Sequence, residues 1–184
     1  KTVHARTDFV VGADGCNSQV RQLLGIEYER AGDPELFVVY EFESDEKCEH
    51  EMKIVLGGVT ASVLWPFSEH RCRWSFQIVP ADAPGNFPDK DRRPFIIGET
   101  PGENDSRHHL QRLLQERAPW FEGNIKDLDW AMDIQFEPRL ASQFGRERGW
   151  LVGDAAHQTG PIGMQSVNVG FREGADLAAK MKKI

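Results

Sequence analysis

WLVGDAAHQTGPIGMQSVNVG, residues 150–170, joins an apolar, strand-like run to a helix-like segment through a turn made almost entirely of small residues. The run ends at Val152-Gly153, so Asp154 is expected at the carboxyl edge of a sheet, where α/β proteins bind ligands. A carboxylate there can accept two hydroxyl hydrogen bonds, as from a ribose or ribityl chain. The helix that follows offers unpaired backbone N–H groups and the positive end of its dipole, which favour a heterocycle that gains negative charge on reduction. Gly160, Gly163, Ala155 and Ala156 let backbone approach a flat ligand closely. A plain strand-to-helix loop in which Asp154 caps the helix is the other reading, and the stretch by itself does not choose between them.

Working outward, residues 8–21, DFVVGADGCNSQVR, repeat the arrangement: a short apolar strand, Asp14-Gly15, then a helix. Asn17 or Ser18 caps that helix, Arg21 lies on it and Gly25 closes it. Taken alone, the stretch reads as an Asp-Gly turn with Ser18 as the cap and Arg21 solvated. Between the two turns the chain is β-rich. LFVVYEFE (36–43) alternates in part, and HEMKIVL (50–56) is a plausible partner. TASVLWPF (60–67) and RCRWSFQIV (71–79) flank Ser68-Glu69-His70 as a hairpin. In its second strand Cys72, Trp74, Phe76 and Ile78 take one face and Arg71, Arg73, Ser75 and Gln77 the other. Pro66 marks its strand as an edge strand or a bulge.

Residues 80–105, rich in Pro, Gly, Asp and Asn, read as a surface connection. SRHHLQRLLQER (106–117) reads as an amphipathic helix capped by Asp105 or Ser106, with Leu110, Leu113 and Leu114 facing inward. LDWAMDIQF (128–136) alternates without a break: Leu128, Trp130, Met132, Ile134 and Phe136 against Asp129, Ala131, Asp133 and Gln135. That is the pattern of a sheet with one packed face. A strand at 149–153 and a helix at 165–182 complete the chain. Two pieces of one α/β layer are thus split by a mostly antiparallel β insert with one helix.

Composition limits the partners. The chain has 184 residues, 40% of them hydrophobic and 28% charged, which suits one globular domain or a domain with an appendage. A net charge of −7 repels phosphate backbones and anionic membranes. The basic runs Arg71–Arg73, Arg92-Arg93 and Lys180–Lys183 are flanked by acids or too short to form a stripe, so no nucleic acid is expected. Cys16, Cys48 and Cys72 form no CxxC pair, which argues for a reducing cytoplasm over a disulfide framework. No apolar run approaches the ~20 residues of a membrane helix, so no stable membrane association is expected. No metal-ligand spacing and no Ser/His/Asp set stand out. His108 and His109 are adjacent and cannot share one helix face, which reads as solvation.

The two turns are more specific together than apart. DGCNSQVR (14–21) resembles the DGxxSxxR motif, and GWLVGDAAHQTGPIGMQSVNVG (149–170) resembles the GDAAHxxxPxxGxGxNxG motif, of one family. That family is the FAD-dependent aromatic hydroxylases, the para-hydroxybenzoate hydroxylase-like (group A) flavoprotein monooxygenases. GGVTASVLWPFSEHRCRWSFQ (57–77) is similar to the family's hairpin with its strand proline. RLASQFGRERGWLVGDAAH (139–157) is similar to the segment that runs into the second motif. The resemblance covers nearly the whole chain.

The resemblance implies an α+β / α/β fold: a fragment of an FAD-binding three-layer domain plus a mostly antiparallel β-sheet substrate domain. The expected division is 1–28 and 145–184 for the FAD-domain segments and 29–144 for the substrate domain. It implies an FAD- and NAD(P)H-dependent monooxygenase that uses molecular oxygen, through a flavin hydroperoxide, to hydroxylate an aromatic or polyketide-like small molecule. Other readings are a flavoprotein of the same fold performing epoxidation, halogenation or reduction, and a non-catalytic module.

By the same resemblance Gly153 and Asp154 meet the FAD ribityl or pyrophosphate region, Pro161 and Gly163 line the flavin ring, and the backbone at Val167 and Asn168 meets its pyrimidine edge. Asp14 and Gly15 help hold the pyrophosphate side and NAD(P)H, and Arg21 steadies their turn. Trp65, Phe67, Trp74, Trp130, Met132 and Ile134 are candidates for a substrate wall, with plain core packing as the other reading of each. No side-chain catalyst is identified, since the cofactor carries the hard chemistry, and His157 reads as structural or orienting.

The sequence departs from the family pattern in three places. Gly160 replaces a frequent proline, and Met164 and Ser166 replace frequent glycines, so Met164 can crowd the flavin face. The family's GxGxxG turn, which cradles the FAD pyrophosphate, has no counterpart: GADGCNS (12–18) lacks the spacing. The chain resembles the middle of a hydroxylase, and by itself is expected to be inactive and to bind FAD weakly or not at all.

Overall fold

The computed structural model describes residues 3–48, 50–79, 95–97, 103–160 and 166–183. In chain order the first elements are β1 (Val10–Gly12), α1 (Gln19–Leu23), β2 (Tyr28–Arg30), β3 (Glu35–Ser44), β4 (Lys53–Leu56), β5 (Ala61–Pro66) and β6 (Arg71–Ile78). Then follow β7 (Phe95–Ile97), α2 (Glu103–Arg117), β8 (Ile125–Phe136), β9 (Arg139–Ala141), β10 (Gly145–Arg146) and β11 (Gly149–Leu151). A 3-10 turn at Gly153–Ala155, β12 (His157–Gln158) and α3 (Ser166–Met181) are the last described elements. The fold is α+β, and the chain divides into two compact units, Lys1–Asp33 with Glu137–Ile184, and Pro34–Phe136.

The continuous unit is a six-stranded antiparallel sheet of order β4-β5-β6-β3-β8-β7. β3 sits between β6 and β8 and is buried along almost its whole length, which explains why its sequence is a near-continuous apolar run rather than a clean alternation. β6 does alternate, as its sequence predicts, and sends Cys72, Trp74, Phe76 and Ile78 into one core. That core also holds Leu36, Val38, Tyr40 and Phe42 of β3 and Leu110, Leu113 and Leu114 of α2. Burying each large side chain of this set is worth about 1.5–3 kcal/mol, so the sheet face beneath α2 is the main stabilising layer of the unit. Arg107 Nη1 donates to the Ile125 carbonyl at 2.7 Å and Arg117 Nη1 to the Gln77 carbonyl at 2.5 Å, tying both ends of the helix to the sheet.

Four expectations change here. β8 does not alternate without a break: Trp130 lies opposite Glu41 but Leu128 lies opposite Phe42, so Asp129 is an extra residue in the ladder. Such a bulge flips the side chains beyond it, and Leu128 packs against the α2-side core instead of following Trp130. Pro66 does not mark an edge, because β5 lies between β4 and β6. It is tolerated because β4 pairs with β5 only as far as Leu64, so the missing N–H faces no ladder partner on that side. α2 starts at Glu103, which places Ser106, buried at 1% exposure, inside the helix rather than at its cap. His109 is not solvated: its Nδ1 lies 2.8 Å from the Tyr40 hydroxyl, while His108 is exposed. Of the expected surface connection, residues 80–94 and 98–102 lie outside the described residues, and 95–97 form β7 on the edge beside β8.

The discontinuous unit is built on short strands. β1 pairs parallel to β11, Val10 with Gly149 through Gly12 with Leu151, and β10 adds antiparallel on the other side of β11. A second small sheet has the order β12-β9-β2. The core between them is compact: Ile26, Ala141, Leu151, Ala155 and Ala156, with Val20, Leu24 and Tyr28 packed against it. Among the described residues no helix is long and apolar enough to cross a membrane.

Candidate functional site

β1 delivers the chain to the Asp14-Gly15 turn. Asp14 Oδ1 accepts from the Ser18 hydroxyl at 2.5 Å, and Oδ2 accepts from the backbone N–H groups of Gln19 at 2.8 Å and Val20 at 3.2 Å. Ser18 Oγ in turn accepts from Arg21 N at 3.0 Å. Asp14 and Ser18 therefore share the first-turn donors of α1 that no helix can satisfy internally. The slight burial of Asp14 pushes its carboxyl up, but the hydrogen bonds from Ser18, Val20 and Gln19 outweigh that and hold it below the usual 3.8. Gly15 turns the chain at a φ of +82°, with open space where a side chain would stand. Both oxygens of Asp14 are engaged within the turn, so the residue acts by shaping it.

Arg21 links this turn to the second one. It is 5% exposed, and its Nη2 donates to the Cys16 carbonyl at 2.7 Å while its Nη1 donates to the Ala155 carbonyl at 2.8 Å. The guanidinium lies 3.8 Å over the Tyr28 ring, and the Tyr28 hydroxyl donates to the Asp154 carbonyl at 3.0 Å. Burial pushes the Tyr28 phenol up to about 12, with the Arg21 charge pulling it back and Asp154 adding to the rise. Tyr28 therefore stays a donor at neutral pH.

At the end of β11 the backbone turns at Gly153, φ +59°. The Gly153 N–H donates to Glu173 Oε2 at 2.9 Å, and Glu173 Oε1 lies 2.8 Å from His157 Nε2. His157 also stacks on Phe144, ring centroids 5.9 Å apart. A Cβ on Gly170 of α3 would come within 3.1 Å of Gly153 Cα, so the helix meets the turn glycine to glycine. The backbone is thus held at Gly153, Asp154 and Ala155 by Glu173, Tyr28 and Arg21. Among the described residues no hydrogen bond engages the Asp154 carboxylate, which is exposed. The structure brings Gly153, Asp154, Asp14, Gly15 and Arg21 together. It puts Val167 and Asn168 in the exposed first turn of α3. Pro161 and Gly163 lie outside the described residues, as does Met164.

Two contributors escape the sequence reading. Glu173 stands three residues after Gly170 and so shares its helix face, a spacing that helix periodicity does expose. Tyr28 carries no local signal, since its role depends on a partner 126 residues away.

In the continuous unit the sheet face opposite α2 carries a cross-strand row: Trp65 opposite Arg73, Arg73 opposite Glu41, Glu41 opposite Trp130. Glu41, 8% exposed, accepts from the Arg73 guanidinium and from Trp130 Nε1 at 2.6 Å. Arg73 lies 5.1 Å from the Phe67 ring centroid and 5.4 Å from that of Trp130. Met132 and Ile134 follow Trp130 on the same face. Trp74 does not belong with them. Its register partner is Leu64, one residue out of phase with Trp65, which buries it completely in the α2-side core, stacked on Phe76 at 5.1 Å. Among the described residues no cluster of metal-ligating side chains exists.

A family model described as FAD binding domain matches residues 1–184. The chain is 25% identical over 176 residues to a 3-(3-hydroxy-phenyl)propionate/3-hydroxycinnamic acid hydroxylase of Klebsiella pneumoniae, covering 96% of this chain and 28% of that protein. It is 28% identical over 183 residues to a 12-dehydrotetracycline 5-monooxygenase/anhydrotetracycline 6-monooxygenase of Streptomyces rimosus, covering 94% of this chain and 33% of that protein. Among solved structures it is similar in fold to aklavinone-11 hydroxylase in a ternary complex with FAD and aklavinone, with a TM-score of 0.58 and 24% identity over 94% of this chain and 30% of the other. The chain therefore spans about a third or less of the length of these proteins.

Proposed function

Because the chain belongs to the FAD binding domain family along its whole length, we propose that the protein containing it is an FAD-dependent monooxygenase. It hydroxylates an aromatic or polyketide-like small molecule, with NAD(P)H as reductant and molecular oxygen as co-substrate. The relatives at 25% and 28% identity carry hydroxylase and monooxygenase names, on phenylpropionate and tetracycline skeletons. The cytoplasm suits its three free thiols.

The observation that carries this reading is the held turn at Gly153–Ala155. Its backbone is fastened at three successive residues while one carboxylate is left exposed at the end of a parallel strand. That is the donor-accepting edge a polyhydroxylated cofactor chain needs. Gly153 and Gly170 leave no side chain where helix and turn meet, so α3 packs directly on the turn that carries this carboxylate. FAD, when bound, supplies the redox chemistry that inserts one oxygen atom into the ring.

The protein's own residues bind and orient. Asp154 accepts hydrogen bonds from the ribityl hydroxyls or the pyrophosphate region. The first-turn amides of α3, at Val167 and Asn168, face the pyrimidine edge of the flavin and favour the negative charge it gains. Asp14, Gly15 and Arg21 hold the neighbouring turn in shape, and Pro161 and Gly163 complete the ring's surroundings. The substrate ring rests on the sheet face that carries Trp65, Phe67, Trp130, Met132 and Ile134, which supply apolar surface and exclude water. On this reading Lys1–Asp33 with Glu137–Ile184 serve the cofactor and Pro34–Phe136 the substrate.

The test uses the purified intact protein. The expected results are a visible oxidised-flavin absorbance band, NAD(P)H consumption stimulated by phenolic or polyketide substrates, and a product heavier by one oxygen. A colourless protein that takes up no added FAD would overturn the reading.

A further inference from the structure

α3 does more than follow the cofactor turn. Glu173, on its second turn, reaches back with both carboxylate oxygens: Oε2 accepts the Gly153 N–H at 2.9 Å, and Oε1 meets His157 Nε2 at 2.8 Å. These two contacts lie on opposite sides of Asp154, one residue before it and three after. The side chain is only partly exposed, 24% for Glu173 and 12% for His157, so the bonds are shielded from competing water. His157 is seated from its other side by the Phe144 ring. Gly153 is at φ +59°, a conformation its own residue type permits but does not select, and the Glu173 acceptor helps to fix it.

We propose that Glu173 is a positioning residue for the cofactor turn, one that sets the Asp154 carboxylate in register with the first-turn amides of α3. The proposal rests on the reading of that turn as an FAD site. The register argument is geometric. Val167 and Asn168 belong to the same rigid helix as Glu173, so whatever ties Glu173 to Gly153 and His157 also fixes where those amides stand relative to Asp154. Gly170 enforces the same distance from the other direction, because a Cβ there would press on Gly153 Cα at 3.1 Å. The carboxylate pulls the helix onto the turn, and the two glycines let it come close enough.

The experiment compares the intact protein with Glu173→Ala, Glu173→Gln and Gly170→Ala. FAD affinity is read by flavin fluorescence, the environment of bound flavin by its visible spectrum, and the stability of the apoprotein by thermal unfolding. Losing two hydrogen bonds from a charged acceptor is expected to raise the FAD dissociation constant about ten- to a hundred-fold in Glu173→Ala. The spectrum of the remaining bound flavin should shift. A glutamine can accept from Gly153 through its carbonyl and donate to His157 through its amide, so Glu173→Gln is expected to restore affinity to within a few-fold. Gly170→Ala is expected to weaken FAD binding by forcing helix and turn apart. If Glu173→Ala lowers apoprotein stability yet binds FAD with unchanged affinity and spectrum, Glu173 is only a structural residue and the proposal fails. If the unaltered protein binds no FAD, the failure belongs to the functional reading instead.

Discussion

Arg21 holds two stretches of chain whose contact spans 134 residues of sequence, and it does so with one planar group. Its carbonyl partners, Cys16 and Ala155, sit in the two motif turns, so the side chain is the joint between them. Replacing it with alanine takes these donors from the buried Ala155 carbonyl and the half-buried Cys16 carbonyl and removes charge-assisted bonds, at a cost of about 1.5–3 kcal/mol. A fall of the urea midpoint without a change of slope would measure this. Arg21→Lys should recover only part of the loss, because an ammonium lacks the fork that reaches both carbonyls. Asp14 makes a second prediction. Its folded pKa is lowered, so the stability it adds is fully present above its ordinary value of 3.8 and is lost as pH falls below that value through the folded one. Acid unfolding of Asp14→Asn, followed by circular dichroism, should lack this component of the acid limb below pH 3.8. A limb identical to that of the unaltered protein would show that the α1 cap carries no such linkage.

Among the elements, α2 shows where reading by period succeeds. Leu110, Leu113 and Leu114 are legible as an inward stripe from spacing alone, and all three are buried against the sheet. Leu110→Ala is expected to cost about 2–5 kcal/mol, whereas the exposed His108→Ala should stay within about 0.5 kcal/mol of the parent. Denaturant titration of both variants checks the contrast. The alternation of β6 was legible for the same reason, since a strand's period of two is written residue by residue. The bulge at Asp129 was not, because it is fixed by pairing with the partner strand, while the sequence of β8 alternates straight through it. β2, β9 and β12 were invisible too: strands of two or three residues have no period to read and exist only through their pairing, which for β2 and β9 joins residues more than a hundred apart. At the candidate site the same division holds. Asp154 and Asp14-Gly15 could be picked out from motif spacing, and Glu173 could be placed on the Gly170 face by helix periodicity, while Tyr28, which holds Asp154, depends on tertiary contact alone.

At the level of the whole chain, the sequence contains no GxGxxG turn, and the structure supplies one exposed carboxylate at a held turn. The chain alone is therefore expected to bind FAD no more tightly than the micromolar range, and a titration giving sub-micromolar affinity would contradict this. The division into units has a further consequence, in the order of synthesis. Pro34–Phe136 is continuous and can close its sheet and core as it leaves the ribosome, but β1 must wait for β11, which is made 137 residues after it. At cellular elongation rates that wait is on the order of ten seconds. Throughout it Val10 and Val11 lack their β11 partners, and Arg21 lacks its second carbonyl. Rapid closure of the inserted sheet shortens the loop that β1 and β11 must span in order to pair.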